Sequence, residues 1–328
     1  MKQFEFNDFI YTTEIVDKKI IFGVEKRKGN PPPSHLSKYY PISEFSLEAI
    51  ENNHFYISHP EDLNDLFDFS YYLFHLDNLP LEQIKSFLKD GDLSEKEIEQ
   101  KYLTKKSELI EIVKFNFYGL MLSKVGIICF TPNKYSDLMW GYYGNNEGFC
   151  IEFDYNLFTT NIDTRFHGPF PINYVESLSK IDMNKLEAMT LLIQSTIKKN
   201  DWKHEDEYRF IIETSNTYEV NGLFSNKEWN IELKPRLIKY PTKSVKGVYL
   251  GFNFSKNDDK TEGKNKNECI LTLTSNNKKL KNRLLKSLIN NNYRTFTIGQ
   301  DTSTFQLKDK EVKIEYIEEN KFLITSLN

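Results

Sequence analysis

A chain of 328 residues with 39% hydrophobic residues is long enough for one large or two ordinary domains. A formal net charge of −4 and an isoelectric point near 6.0 argue against a broad electrostatic footprint for duplex nucleic acid. Three widely spaced cysteines (Cys129, Cys150, Cys269) form neither a disulfide framework nor a zinc knuckle, so a reducing cytoplasm is the expected compartment.

The N-terminus has no signal-like apolar core, and no run approaches the ~18 apolar residues of a membrane span. Strand-like pieces fall around Phe4–Thr12 and Lys19–Val24, before Pro31-Pro32-Pro33, which suits only an extended surface segment. A short helix is expected over Glu44–Glu51 and a strand over His54–Ser58, ended by Pro60. The Asp- and Asn-rich Glu61–Asp68 reads either as a tight turn or as a loop with Asn64 and Asp65 facing a ligand.

Residues 80–124 carry a helical stripe (Ile110, Val113, Phe117, Leu120, Met121), and Ser94 with Glu97 fits a capping box. Val125–Thr131 is a buried strand by its apolar, β-branched composition. Beyond it, three glycines interleave with Trp140, Tyr142 and Tyr143. That pattern fits a cleft for a ring-bearing ligand, or an aromatic core corner with a turn at Gly144–Gly148. Strands follow at Phe149–Asp154, Ile172–Val175 and Val245–Gly251, with an amphipathic helix over Lys185–Lys199. Lys256–Asn267 lacks apolar periodicity and is expected to be a mobile loop. The tail offers strands at Cys269–Thr274, Thr295–Gly299, Val312–Ile317 and Phe322–Thr325 around a basic helix, Lys278–Asn290.

The centre of the chain is Lys199–Glu213, where a polar approach becomes a strand. Tyr208, Phe210 and Ile212 alternate with Glu207, Arg209 and Ile211, the period of an extended segment with one buried face. If the extension starts at Glu205, then Glu205, Glu207 and Arg209 share the other face, the two carboxylates about 7 Å apart. Like charges raise one another's pKa and a guanidinium lowers it, so such a group divides proton and electrostatic roles. The plain alternative is a solvated, salt-bridged edge strand. Trp202 favours a lined cleft.

No P-loop, Rossmann fingerprint or Gly-x-Ser-x-Gly elbow is present, and the six His lack metal-ligand spacing, so no metal is expected. Glu232 and Lys234 form a Glu-x-Lys of the kind found in some metal-dependent nucleases.

The order of pieces resembles a bacterial family, domain of unknown function 2971. The resemblance is carried by YISHPEDLNDLFDF within Ala49–Phe69, IICFTPNKYSDLMWGYYGNNEGFCIEFD within Gly126–Asp154, INYVE, WKHEDEYRFII and VKGVYLGF. It covers about Tyr39 to Phe252, with Leu66 in place of the usual Pro and Asp68 in place of Glu. That family is similar in turn to ADP-ribosyltransferases, which split NAD in a cleft between two small sheets and carry a Glu/Gln-x-Glu at the start of a late strand. The resemblance implies Glu207 as the catalytic carboxylate and Glu205 as the group that orients or deprotonates the acceptor.

The expected fold is therefore α+β: two small, mostly antiparallel sheets around a cleft, with helices 80–124 and 183–200 packed outside. The chain is expected to be one domain, 1–328, with a family-like core at 39–255, the loop 256–267 and an extension at 268–328. Tyr40, Ser58, Asn64, Trp140, Tyr143, Trp202 and Arg209 are the residues expected to bind NAD. The acceptor is open between protein, nucleic acid and water, and a partner protein in a toxin or phage-defence system is compatible with this reading. A non-catalytic nucleotide-sensing or partner-binding module and a metal-dependent nuclease using Glu232 and Lys234 are the alternatives.

Overall fold

The computed structural model describes residues 1–16, 19–27, 32–76, 78–89, 91–160, 166–177, 181–182, 189–213, 218–221, 230–233, 237–255 and 259–327. Its architecture is α+β. The larger sheet has eight strands in the order Lys260–Gly263, Glu268–Thr272, Lys321–Ser326, Leu307–Glu318, Thr295–Gln300, Val245–Leu250, Phe149–Asp154, His35–Tyr40. All neighbours are antiparallel except Val245–Leu250 with Thr295–Gln300. One of the two sheets is thus far larger than expected, because the strands of the tail join it directly.

The second sheet that matters to the site has three antiparallel strands, Val125–Phe130, Tyr208–Glu213 and Phe166–Pro171. It meets the larger sheet through backbone pairing of Ser37 with Thr131 (N···O 2.7 and 3.0 Å). Ser58 pairs in the same way with Ile127 (2.9 Å in both directions).

Strand alternation explains why this small sheet is central. Phe130 and Ile128 face one core with Phe210 and Ile212, packed edge to face with Phe55 and Phe158. Val125, Ile127 and Ile211 face a second core built with the helices Leu81–Leu88, Glu95–Thr104, Lys106–Lys124 and Met189–Thr196. An N-terminal three-stranded meander (Lys2–Phe6, Phe9–Val16, Lys19–Lys26) covers that second core through Phe9, Tyr11 and Val24. The first strand expected there is two, because Asn7 takes a left-handed turn at φ 54°.

Local signals held where they were complete. Ser94 and Glu97 form the reciprocal capping box, Ser43 caps Glu44–Glu51, and Lys278–Asn290 is helical as expected. The glycine- and aromatic-rich Asp137–Gly144 is a helix capped by Ser136 and closed by left-handed Asn145. Gly148 does pass close to something, namely the chain itself: a Cβ there would lie 2.0 Å from the Tyr40 carbonyl oxygen. The amphipathic segment before the central strand is helical over Met189–Thr196 and then extends over Ile197–Lys199, parallel to Asn173–Val175. Residues 183–188, Pro31, Lys234 and the side chain of Glu232 lie outside the described residues, and so does the Glu-x-Lys reading.

Residues 256–258 of the expected loop lie outside the described residues, and the described part, 259–267, is not simply a loop. Lys260–Gly263 forms an edge strand, and Asp259 anchors its start. One Asp259 oxygen takes the fully buried Lys281 ammonium at 2.8 Å, and the other accepts from the backbone of Thr274 and Ser275 at 2.8 and 3.0 Å. That long-range ion pair leaves no trace in local periodicity.

Trp140 is a core residue, 1% exposed, edge to face with Tyr39 and donating its indole N–H to the Lys134 carbonyl at 3.0 Å. Trp140→Ala should therefore destabilise by about 3–5 kcal/mol, read as a drop in urea midpoint. A variant as stable as the parent would contradict this placement.

Candidate active site

The two sheets and the loops around them enclose a cavity of about 270 Å³, lined by Ser37, Lys38, Tyr39, Ser58, Asp62, Leu63, Asn64, Cys129, Phe130, Thr131, Met139, Tyr143, Lys198, Glu205, Glu207 and Arg209. Its charged floor is built by the central strand. Glu207 and Arg209 precede Ile211 on one face, opposite Tyr208, Phe210 and Ile212. Both lie between two flanking strands and are buried, which excludes the solvated edge. Glu205 is not part of the strand. It ends a 3₁₀ turn, Asn200–Glu205, and left-handed Asp206 (φ 45°) swings the chain into the strand. The turn still delivers the Glu205 carboxylate to the same cavity as Glu207.

Arg209 is fully buried, and all five of its N–H groups are used. Nη1 and Nη2 donate to the two Asp68 oxygens at 2.7 and 2.5 Å, and Nη1 donates also to the Ser195 carbonyl at 3.0 Å. Nε and Nη2 donate to the two oxygens of Glu207 at 2.6 and 3.1 Å. No donor remains for a ligand phosphate. The expected ligand-binding role of Arg209 is replaced by a structural one: it ties the Asp65–Asp68 turn and the end of the Met189–Thr196 helix to the strand.

Lys198 completes the cluster. Its ammonium donates to Glu205 Oε2 at 2.6 Å and to Glu207 Oε2 at 3.1 Å, with Asp68 Oδ2 at 3.9 Å. The Trp202 ring centroid lies 4.9 Å from the same ammonium. Trp202 therefore shields the charge cluster but does not line the cavity. Tyr143 donates to Glu205 Oε1 at 2.5 Å and accepts from Asn64 Nδ2 at 2.8 Å. The backbone N–H of Glu207 donates to the Tyr174 hydroxyl at 2.9 Å.

These contacts push the two glutamates apart. Burial opposes ionisation of Glu207, but the Arg209 guanidinium and the Lys198 ammonium outweigh it and hold its carboxyl well below the usual range. Burial likewise raises Glu205, and there the Lys198 attraction, set against repulsion from Glu207, does not cancel it. Burial, then the Glu205 charge, pushes Tyr143 far up, so its proton stays in place as the donor. Of the two glutamates, Glu205 is the one held toward its neutral form.

Of the residues expected from the sequence, Ser58, Asn64, Tyr143, Glu205, Glu207 and Arg209 come together in this cavity. Trp140 and Tyr40 do not: Trp140 is core, and Tyr40 is buried in a stack on Phe149 (centroids 5.0 Å apart). Lys198, Asp68, Lys38 and Cys129 were missed. The thiol of Cys129, on the strand beside Arg209, is hydrogen-bonded to Glu207, and burial holds it far above the usual thiol range. Period-two alternation through Ile197-Lys198-Lys199 is the one sequence signal that sets Lys198 apart from Lys199. Among the described residues, no three His, Cys, Asp or Glu side chains group so as to hold a metal ion. No helix among them is long and apolar enough to cross a membrane.

Residues 139–210 match the model of a family described as a protein of unknown function, DUF2971. The matched span runs from the helix bearing Tyr143 to the strand bearing Arg209, and so contains Lys198, Glu205 and Glu207 but neither Lys38 nor Asp68. No curated protein and no solved structure matches the chain.

The opposed shifts predict opposed stability effects. Glu207 has a depressed folded value, so its contribution is present above the unfolded value of roughly 4.3 and fades as pH falls below it. Glu205 has a raised folded value, so its contribution is present below roughly 4.3 and is lost as pH rises through the folded value. Glu207→Gln removes the carboxylate that two buried cations share, leaving Arg209 on Asp68 and Lys198 on Glu205, and should cost about 3–5 kcal/mol at pH 8. Glu205→Gln should match or exceed the parent at pH 8 and lose that advantage near pH 5. Urea unfolding at both pH values checks this; Glu205→Gln proving the less stable of the two at pH 8 would contradict it.

Proposed function

We propose that the cavity transfers a ribosyl group from a nucleotide, with NAD as donor, in the manner of an ADP-ribosyltransferase. What carries the reading is the glutamate pair. One carboxylate is locked ionised, its neighbour is held toward its neutral form, and one ammonium bridges both at 2.6 and 3.1 Å. Two carboxyl groups with separated proton affinities are the equipment for breaking a glycosidic bond through a cationic sugar.

In this reading the C1–N bond to nicotinamide breaks and its electron pair leaves with the neutral base. The acceptor hydroxyl forms the new C1–O bond, and its proton passes to the ionised Glu205. When Glu205 is ionised, Asp68, Glu205 and Glu207 are ion-paired with Lys198 and Arg209, and the Lys38 ammonium stands on the same cavity wall. The ionised Glu205 carboxylate then faces the cavity, where it favours the positive charge as that charge moves from the nicotinamide ring nitrogen onto the ribose. Glu205 thus takes the proton-transfer role expected of it. Glu207 acts as a fixed charge that sets the affinity of Glu205, and it is too deeply built in to be neutralised without loss of folding. Tyr143 and Asn64 hold the Glu205 carboxylate in place. Ser58 lines the same wall and suits a ribose hydroxyl.

The test is to incubate the purified protein with NAD, with and without cell lysate, and to follow free nicotinamide and labelled macromolecule. Glu205→Gln should fold and lower transfer by about 10²–10⁴-fold, the usual contribution of a general acid–base group. Saturable NAD binding with no nicotinamide release would move the protein to the non-catalytic, nucleotide-sensing class. Full transfer by Glu205→Gln would sink the assignment.

A further inference from the structure

A second cavity, of about 490 Å³, adjoins the acidic one, and the two share Lys38, Tyr39 and Ser58 as common wall. Its character is different. Phe45 and Tyr56 stand on it with 84% and 48% of their surface exposed, large aromatic areas that no element among the described residues covers. His54 lines it too, largely buried and held below the usual imidazole range by that burial, so it is a neutral hydrogen-bonding ring. No hydrogen bond joins the His54 side chain to another described residue.

Lys38 stands at the junction. Its ammonium donates to the Cys129 carbonyl at 3.2 Å and lies 5.9 and 5.8 Å from the Tyr40 and Phe130 ring centroids. Every other cation of the acidic cavity is matched to carboxylates, whereas Lys38 forms no ion pair with any described residue. Burial lowers the Lys38 pKa and the Glu207 charge offsets this only in part, with Glu48 on the wall of the second cavity, so an anion arriving with a ligand would hold the ammonium charged. The acidic cavity alone lies just below the roughly 300–1,000 Å³ of small-molecule sites, too small for a dinucleotide.

We propose that the second cavity is the base-binding half of a nucleoside-diphosphate site, with Lys38 taking the phosphates at the junction and Phe45 and Tyr56 flanking the base. This deepens the proposed function and rests on it for the ribosyl end only. Diphosphate charge explains the unmatched ammonium, aromatic walls suit a planar base, and the shared wall explains why one ligand spans both cavities. The carboxylates on the far side repel phosphate, which sets the orientation: phosphates at Lys38, the uncharged sugar toward Glu205.

ADP and adenosine are the probes, titrated into the full chain by calorimetry, so that the result does not depend on turnover. ADP should bind, and adenosine should bind at least 10-fold more weakly. Lys38→Met should weaken ADP by roughly 10–100-fold and adenosine by less than 3-fold, while Lys38→Arg restores most of the loss. Tyr56→Ala, at an exposed position where folding is not at stake, should weaken both probes together. Adenosine binding as tightly as ADP, or ADP affinity unmoved by Lys38→Met, would overturn the proposal. So would ADP affinity unmoved by Tyr56→Ala. ADP binding with this pattern but no NAD cleavage would retain the site and remove the transferase reading; cleavage with ADP affinity independent of Lys38 would do the reverse.

Discussion

The rest of the site depends on one buried guanidinium. Taking an arginine out of water is costly enough that it persists only where every N–H meets an acceptor and the charge is matched. Arg209 meets both conditions through Asp68, Glu207 and the Ser195 carbonyl. Those three partners come from a loop 141 residues earlier, from the strand itself and from the helix that precedes it. Once Arg209 is fixed, Glu207 has one orientation, and Lys198 is drawn to its remaining lone pairs. Glu205 then enters a field it did not shape, and its raised proton affinity follows from its burial, which the Lys198 attraction, set against the Glu207 charge, does not cancel.

This arrangement is poor value as a stabilising device, since apolar residues of the same volume pack as well without desolvating five charges. It makes sense as a way to hold one carboxylate near neutrality beside another that never protonates. The same logic separates the two ends of the proposed ligand site. Buried ion pairs fill the floor of one cavity, aromatic side chains stand on the other, and Lys38 lies on the wall they share.

Much of the scaffold was legible in the sequence because its signals are local. Phe149–Asp154 shows its strand in a compact apolar run, Ser94 and Glu97 write a capping box three residues apart, and Lys278–Asn290 repeats at helical spacing. The shared side of Glu207 and Arg209 was legible for the same reason, from period-two spacing, whereas Glu205 reaches the site through the turn at Asp206, which that spacing does not describe. What escaped was long range. Asp68 and Lys38 reach the site only through tertiary pairing, and nothing near either residue distinguishes it from a turn aspartate or a surface lysine. Trp140 misled in the opposite direction. Glycines and tyrosines around a tryptophan look like a cleft, but the segment is a capped helix whose indole faces inward.

The remaining question is why Tyr143 should sit between Asn64 and Glu205. A hydroxyl that keeps its proton can donate to only one acceptor, and here it donates to Glu205 while accepting from Asn64. That chain fixes the direction of every hydrogen bond leading to Glu205 Oε1, just as Lys198 fixes the one leading to Oε2. Both oxygens are therefore held by donors that favour the ionised form, while burial and Glu207 favour the neutral one. Burial prevails in that balance, so the Glu205 carboxyl is held toward its neutral form. In the proposed reaction a cationic sugar would draw it toward ionisation, and the acceptor hydroxyl would then yield its proton to it.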